Sequence, residues 1–246
     1  MFETIVNTIN NIVWSNALIF VALASGLFYS FKTRFVQVRL FKEMIRLLFG
    51  GKSSERGVSS FQAFAIAISG RVGTGNIAGV ATAIALGGPG AIFWMWIIAF
   101  LGSASAFIEA TLGQLYKENK GGEYRGGPAY YIEKGLGIKW FATLFAIATI
   151  FSTAFFLPGV QANSIAAGIK SAFDVDVAYT GTAIIVFLAI IVFGGVKRIG
   201  RFSEIVVPFM AIAYILLAVI IIGMNFSEVP RVIKLIISSA FGAHQA

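Results

Sequence analysis

The stretch "ISGRVGTGNIAGVATAI", Ile68 to Ile84, places four glycines, an arginine and an asparagine inside a run that is otherwise apolar enough to cross a bilayer. The run from Ser59 to Leu86 has 28 residues. As one straight helix it would be about 42 Å long, more than the roughly 30 Å of hydrocarbon requires. Gly70, Gly73, Gly75 and Gly79 lie near its middle, and each weakens a helix by roughly 1 kcal/mol relative to alanine. Irregular backbone at that depth survives only where it is buried in protein or lines a wet cavity, because lipid offers no hydrogen bonds to freed amides and carbonyls. An interrupted helix of this kind builds binding sites in transporters: amides at the start of one half face an anion and freed carbonyls coordinate a cation. The alternative is packing, since Gly75 and Gly79 form a G-x-x-x-G pair. Arg71 and Asn76 favour the site, because an ionisable group within a span is costly and is usually kept for function.

The composition agrees with a membrane setting. Of 246 residues 58% are hydrophobic and 12% charged, with a mean hydropathy of +0.85, far more apolar than a water-soluble domain. With no cysteine there is neither a disulfide nor a thiolate metal site. The one histidine, His244, is the third residue from the end of the sequence given, which argues against histidine catalysis.

Six apolar runs are long enough to span: 14–31, 59–86, 91–116, 140–168, 178–196 and 204–224, with a seventh beginning near Val232. The first has no basic residue before it and no small-residue cleavage site after it, so it is expected to be a retained helix. Basic residues follow alternate runs. Lys32, Arg34, Arg39, Lys42, Arg46, Lys52 and Arg56 follow the first; Lys117, Lys120, Arg125, Lys134 and Lys139 the third; Lys197, Arg198 and Arg201 the fifth. Lys170, Arg231 and Lys234 lie on the opposite side. The positive-inside rule then predicts an outside amino terminus and three cytoplasmic basic loops in a multi-pass cell (inner) membrane protein. The net charge of +8 is thus a topology signal, and no basic, aromatic stripe on a soluble module invites nucleic acid.

"FKTRFVQVRLFKEMIRLLFG", residues 31–50, reads either as an amphipathic interfacial helix or as a plain basic connector. "KENKGGEYRGGPAYYIEKGLG", residues 117–137, carries two Gly-Gly pairs and a proline and predicts a structured turn before a short helix. Two soluble-enzyme motifs fail. "GTGNIAG" has its third glycine one residue late for a dinucleotide fingerprint and no βαβ setting, and "GGKSS" has Arg46 where a phosphate loop needs its leading glycine. The spans hold no serine-histidine, paired-aspartate or metal-ligand constellation, so no catalytic residues and no enzyme are expected.

"GGPGAIFWMWIIAFLG", Gly87 to Gly102, resembles the signature of the alanine or glycine:cation symporter family, the sodium:alanine symporters. "GRVGTGNIAGVATAI" before it, "ATLGQLYKENKGGEYRGGPAYYI" after it and "SAFGAHQA" at the end resemble the same family, so the likeness covers nearly the whole sequence. The resemblance implies an all-α polytopic membrane protein that moves a small neutral amino acid, alanine or glycine, with sodium as coupling ion and no other cofactor. It implies two inverted five-helix repeats, each opening on an interrupted helix. Residues 1–58 would then be an extra helix plus a basic segment, 59–231 the first repeat, and 232–246 the start of the second.

Because the family runs to well over 400 residues, the resemblance also implies that these residues are an amino-terminal half, inactive until a second repeat completes the site. Partners would be the amino acid, sodium and membrane lipid. A second reading is a non-transporting assembly or regulatory protein built on the same helices.

The resemblance carries over to single residues through "VGTGN". Amides around Gly73 and Gly75 would hold the substrate carboxylate, Thr74 would line the pocket and Asn76 would offer a side-chain oxygen. The carbonyls of Ser69 and Val72, with Asn76, would help bind sodium; hard oxygen ligands suit such a cation. Gln161 follows Pro158 and Gly159 in the fourth run and would contact substrate, the alternative being an amide bonded to a neighbouring helix. Glu109 reads as an ion-pair partner for Arg71 or as part of the sodium path. Trp94 and Trp96 read as packing or interfacial aromatics.

Overall fold

The computed structural model describes residues 2–51, 58–121 and 123–242; Lys52, Arg56 and His244 lie outside them. The described chain is helical apart from one small hairpin. An amphipathic helix α1 (Phe2–Val13) leads through a turn into α2 (Asn16–Lys32), which covers the first apolar run. The basic segment that follows is helical, as α3 (Val36–Arg39) and α4 (Phe41–Gly50). The long second run is split. Helix α5 (Ser60–Ser69) ends before Gly70, a π-helical turn occupies Gly75–Gly79, and α6 (Val80–Gly87) completes the rod.

Helix α7 (Gly90–Leu115) descends to the hairpin β1 (Glu118–Lys120) and β2 (Glu123–Arg125), antiparallel with Asn119 opposite Tyr124. A short helix α8 (Pro128–Tyr131) with a π-helical turn, Ile132–Leu136, follows, so the glycine-rich segment is a structured turn and a short helix. Then come α9 (Lys139–Ile150), a π-helical stretch at Phe151–Phe156 and α10 (Leu157–Phe173). Helices α11 (Val177–Val192), α12 (Gly195–Met224) and α13 (Val229–Ala240) close the described chain.

Four helices are long and apolar enough to cross a membrane by length and composition: Glu3–Lys32, Gly90–Leu115, Lys139–Phe173 and Gly195–Met224. The other two expected spans are shorter as helices. The second is divided at the break, and α11 has 16 residues, about 24 Å. The fourth run is not interrupted at Pro158 and Gly159. It stays one rod, and the irregularity is the π-helical stretch just before Pro158, where an extra residue per turn absorbs the missing N–H and the ring clash of proline. The seventh run is α13, 12 residues lying against α7 rather than a span.

Packing inverts the pattern of a water-soluble core. The buried positions are mostly small: Gly26, Ser30, Ala65, Ala104, Ala142, Ala166, Gly200 and Ser203. The large apolar side chains point outward, with Phe20, Ile185, Phe209 and Ile215 all more than half exposed. A bilayer supplies those side chains with apolar surroundings, so helices gain by close backbone approach instead of hydrophobic burial. Helix α2 meets α7 in this way. A Cβ on Gly26 would stand 2.9 Å from Leu101 Cβ, and Ser30, fully buried, donates its hydroxyl to the Gly26 carbonyl at 2.8 Å and accepts from Gln37 Nε2 at 3.0 Å. Helix α13 meets α7 at Gly90, whose Cβ would be 2.6 Å from the backbone of Ser239 and Ala240. Trp94 Nε1 donates to the Ala240 carbonyl at 3.2 Å, so Trp94 is a packing aromatic, while Trp96 is 55% exposed.

The hairpin is pinned by charge. Glu118 pairs with Lys134 at 2.6 Å and Lys120 at 3.0 Å, and these hydrogen bonds, Lys134 first, hold its carboxyl below its ordinary value of 4.5. A depressed carboxylate contributes its stabilisation above its unfolded pKa and loses it as pH falls through the folded one.

Two outcomes are expected. Gly26→Leu should lower the thermal midpoint in detergent by an amount equivalent to about 1–3 kcal/mol of overpacking, while Gly102→Leu, whose Cβ position is empty to 4 Å, should leave it unchanged. Amide protection of the hairpin, corrected for intrinsic exchange, should fall on acidification below the usual carboxylate range in the wild type and be low and flat in Glu118→Gln.

Candidate functional site at the helix break

Helix α5 begins with a reciprocal cap. Ser59 Oγ accepts from Gln62 N at 3.1 Å, and Ser59 N donates to Gln62 Oε1 at 3.1 Å. Gln62 Nε2 then donates to Glu204 Oε2 on α12 at 2.8 Å, and Ser203 lies 3.5 Å from Ser69, hydroxyl to hydroxyl, nearer the break. This half-helix is therefore anchored along its length to α12. The S-x-x-Q spacing at Ser59 is a readable capping signature that the sequence analysis passed over, and Gln62 and Glu204 with it.

At the other end the helix stops because its donors are diverted. In a continuous helix Gly73 N would donate to Ser69 and Thr74 N to Gly70. Instead Gly73 N donates to Asn76 Oδ1 at 3.1 Å, and Thr74 N to Gln161 Oε1 on α10 at 3.0 Å. Asn76 N donates to the Gly73 carbonyl at 3.1 Å and not to Val72. The carbonyls of Ser69, Gly70 and Val72 thus lose their helical partners. Four residues named from the sequence, Gly73, Thr74, Asn76 and Gln161, meet in one hydrogen-bonded group, beside the released carbonyls of the fifth and sixth, Ser69 and Val72.

Gly75 stands apart. Among the described residues no atom approaches within 4 Å of a Cβ built on it, nor of one on Gly79, so among them the G-x-x-x-G pair is not a packing notch. Gly73 is the crowded glycine: its Cβ would lie 2.5 Å from Gln161 Nε2, so only glycine lets the Gln161 amide settle over Thr74 N. The break has two sides. Gly73 and Thr74 are half-buried against Gln161, whereas Ser69 to Val72 and Gly75 to Gly79 are exposed.

Arg71 does not pair with Glu109; their charged groups do not come within 4.0 Å. Its backbone N–H donates to Ile68 at 2.9 Å, and its guanidinium Nη1 takes the Ala67 carbonyl at 3.1 Å. Arg71 thus caps the carboxyl end of α5, where the helix dipole favours a cation. Arg71 and Glu109 nevertheless line one cavity of about 360 Å³ that runs toward Lys117, Tyr124 and Arg125 at the hairpin. Glu109 also acts on Tyr131, whose phenol is held above its ordinary value by burial first and by this carboxylate second. Among the described residues no group of three His, Cys, Asp or Glu side chains could hold a metal ion.

Gly73→Ala and Gln161→Ala should each lower the thermal midpoint, the second by leaving the Thr74 amide without a partner, at a cost of about 1–3 kcal/mol. In the Gln161→Ala background Gly73→Ala should cost almost nothing more. Additive effects in that double-mutant cycle would show that the two sites do not touch.

The model of the sodium:alanine symporter family matches residues 1–246. YrbD of Bacillus subtilis, provisionally named a sodium/proton-dependent alanine carrier, is 62% identical over 98% of this chain and 50% of its own length. GlnT of the same organism, named a probable sodium/glutamine symporter, is 46% identical over 100% of this chain and 52% of its own. The sodium/alanine symporter AgcS of Methanococcus maripaludis is 41% identical over 98% and 55%. The chain spans about half the length of these curated relatives. With a break in its second apolar run and identity of this extent along its whole length, the chain belongs to the sodium:alanine symporter family.

Proposed function

We propose that these residues form the extra helix and the first five-helix repeat, 59–231, of a symporter that couples sodium to a small neutral amino acid, alanine first among them. The hydrogen-bonding at the break carries this reading. The Gly73 and Thr74 amides are held by two neutral amide oxygens, Asn76 Oδ1 and Gln161 Oε1, the arrangement that the two oxygens of one carboxylate can replace with stronger, charge-assisted bonds. Thr74 then lines the pocket, and Asn76 and Gln161, displaced, turn to the rest of the amino acid. The carbonyls of Ser69 and Val72, with Asn76, supply hard oxygen ligands for sodium, in the manner of half-helix ends at transporter midplanes.

The preference for alanine rests on YrbD and AgcS, whose names specify it; GlnT, at 46% identity, is named for glutamine, so the side-chain pocket separates members of the family. The exposed side of the break supports a further requirement. Backbone groups freed at midbilayer depth need a protein or water partner, and among the described residues nothing covers that side, so helices of a second repeat complete the site. The distribution of basic residues supports an outside amino terminus in the cytoplasmic membrane, with the hairpin and the α11–α12 turn inside.

The experiment is uptake of labelled alanine into proteoliposomes, with and without an inward sodium gradient. This chain should show none by itself. Joined to the second half that its relatives carry, it should show gradient-dependent uptake that Gly75→Leu abolishes by filling the open space beside the amides. Gln161→Ala should reduce uptake at subsaturating alanine about tenfold or more, in line with loss of one hydrogen bond to a charged group. Equal uptake without sodium, or full uptake by Gly75→Leu, would overturn the reading.

A further inference from the structure

We propose that the cavity at the α11–α12 turn is a headgroup site for an anionic phospholipid. The cavity, about 680 Å³, is separate from the break and is lined by Lys197, Arg198 and Arg201 with Gln62, Glu204 and Val58. Among the described residues its charges do not balance: three cations face one carboxylate, and that carboxylate is already engaged by Gln62 at 2.8 Å. Among the described residues none of the three cations makes a salt bridge. Arg198 spends one guanidinium N–H on the Ile190 carbonyl at 2.8 Å, which folds its stem back over Gly194 and fixes its head at the cavity. Lys197 and Arg198 also sit in the first turn of a 30-residue helix, the end at which the dipole opposes cations and favours an anion. A phosphate entering here meets three cationic donors.

The surroundings select a lipid over free phosphate. Phe193 and Val196, on the same turn, are 90% and 60% exposed, so cations and acyl-compatible surface stand side by side. The helix entering the turn is short as well. At about 24 Å, α11 falls several ångströms below the hydrocarbon thickness, and such a mismatch is met by local thinning and by basic residues reaching the headgroups. A basic pocket between membrane helices of this kind suits the phosphodiester of a singly charged lipid such as phosphatidylglycerol. A soluble anion would use the cations and leave Phe193 and Val196 in water.

The test is native mass spectrometry of the purified chain in mild detergent, with phosphatidylglycerol and phosphatidylcholine of matched acyl chains and, separately, inorganic phosphate. Each basic residue near an anionic surface contributes about fivefold, so a net excess of two charges predicts retention of phosphatidylglycerol over phosphatidylcholine by roughly 25-fold. The preference should vanish in Lys197→Gln/Arg198→Gln/Arg201→Gln and persist in Lys32→Gln/Arg39→Gln/Lys42→Gln, which removes three charges from the other basic segment. Wild-type chain provides a second readout that needs no substitution: a phosphatidylglycerol carrying a photoreactive headgroup should crosslink to the peptide Gly194–Glu204. Equal loss in both triple variants, crosslinks only elsewhere, or displacement of the lipid by millimolar phosphate would each overturn the proposal.

Discussion

Two backbone N–H groups that decline their helical partners organise this molecule. Once Gly73 N turns to Asn76 and Thr74 N to Gln161, the carbonyls behind them are released, α5 must end, and a polar patch opens at a depth where lipid can satisfy none of it. The cost of an unpaired amide in hydrocarbon is several kcal/mol, so the side chains that receive these donors are structural necessities. The same two carboxamides hold the backbone in its unwound form. An apolar residue at either place would leave a continuous helix as the cheaper outcome.

The rest of the fold keeps that break steady. Gln62 bonds the first turn of α5 to Glu204 and Ser203 approaches its last turn from the same helix, so α12 holds the half-helix along its length. Gln161 arrives from the opposite side on α10, its approach set by the π-helical stretch that precedes Pro158. Small residues at the crossings let helices approach closely without burying large side chains, leaving Leu, Ile and Phe for lipid. Two kinds of contact thus hold the fold: small residues at the helix crossings, and carboxamides that receive the freed backbone donors at the break.

Much of this was legible in the sequence because membranes impose simple rules. The helix-weakening glycines mark the break to within a few residues, and the apolar runs give α2, α7, the α9–α10 rod and α12. Three features escaped. Helix α1 is amphipathic, with Ile5, Val6 and Ile9 on one face, so polar residues interrupt it and it forms no continuous apolar run. The fourth run keeps its course through Pro158, since a π-helical turn absorbs a defect that local propensity counts as a stop. The role of Arg71 depends on which carbonyls the break releases. A charge within a span suggests a distant partner such as Glu109, and only the geometry shows the nearer one at Ala67.

The crowding at Gly73 and the emptiness at Gly75 show why spacing alone could not rank these glycines. Both lie in "VGTGN", yet the Gln161 amide from another helix stands at the Cβ position of Gly73, while among the described residues the space beside Gly75 is open. The first serves the closed hydrogen-bonded group that exists in this chain. The second leaves space on the exposed side of the break. Equal spacing in sequence therefore hides opposite surroundings, because what stands at each Cβ position is decided by a helix nearly ninety residues further along the chain.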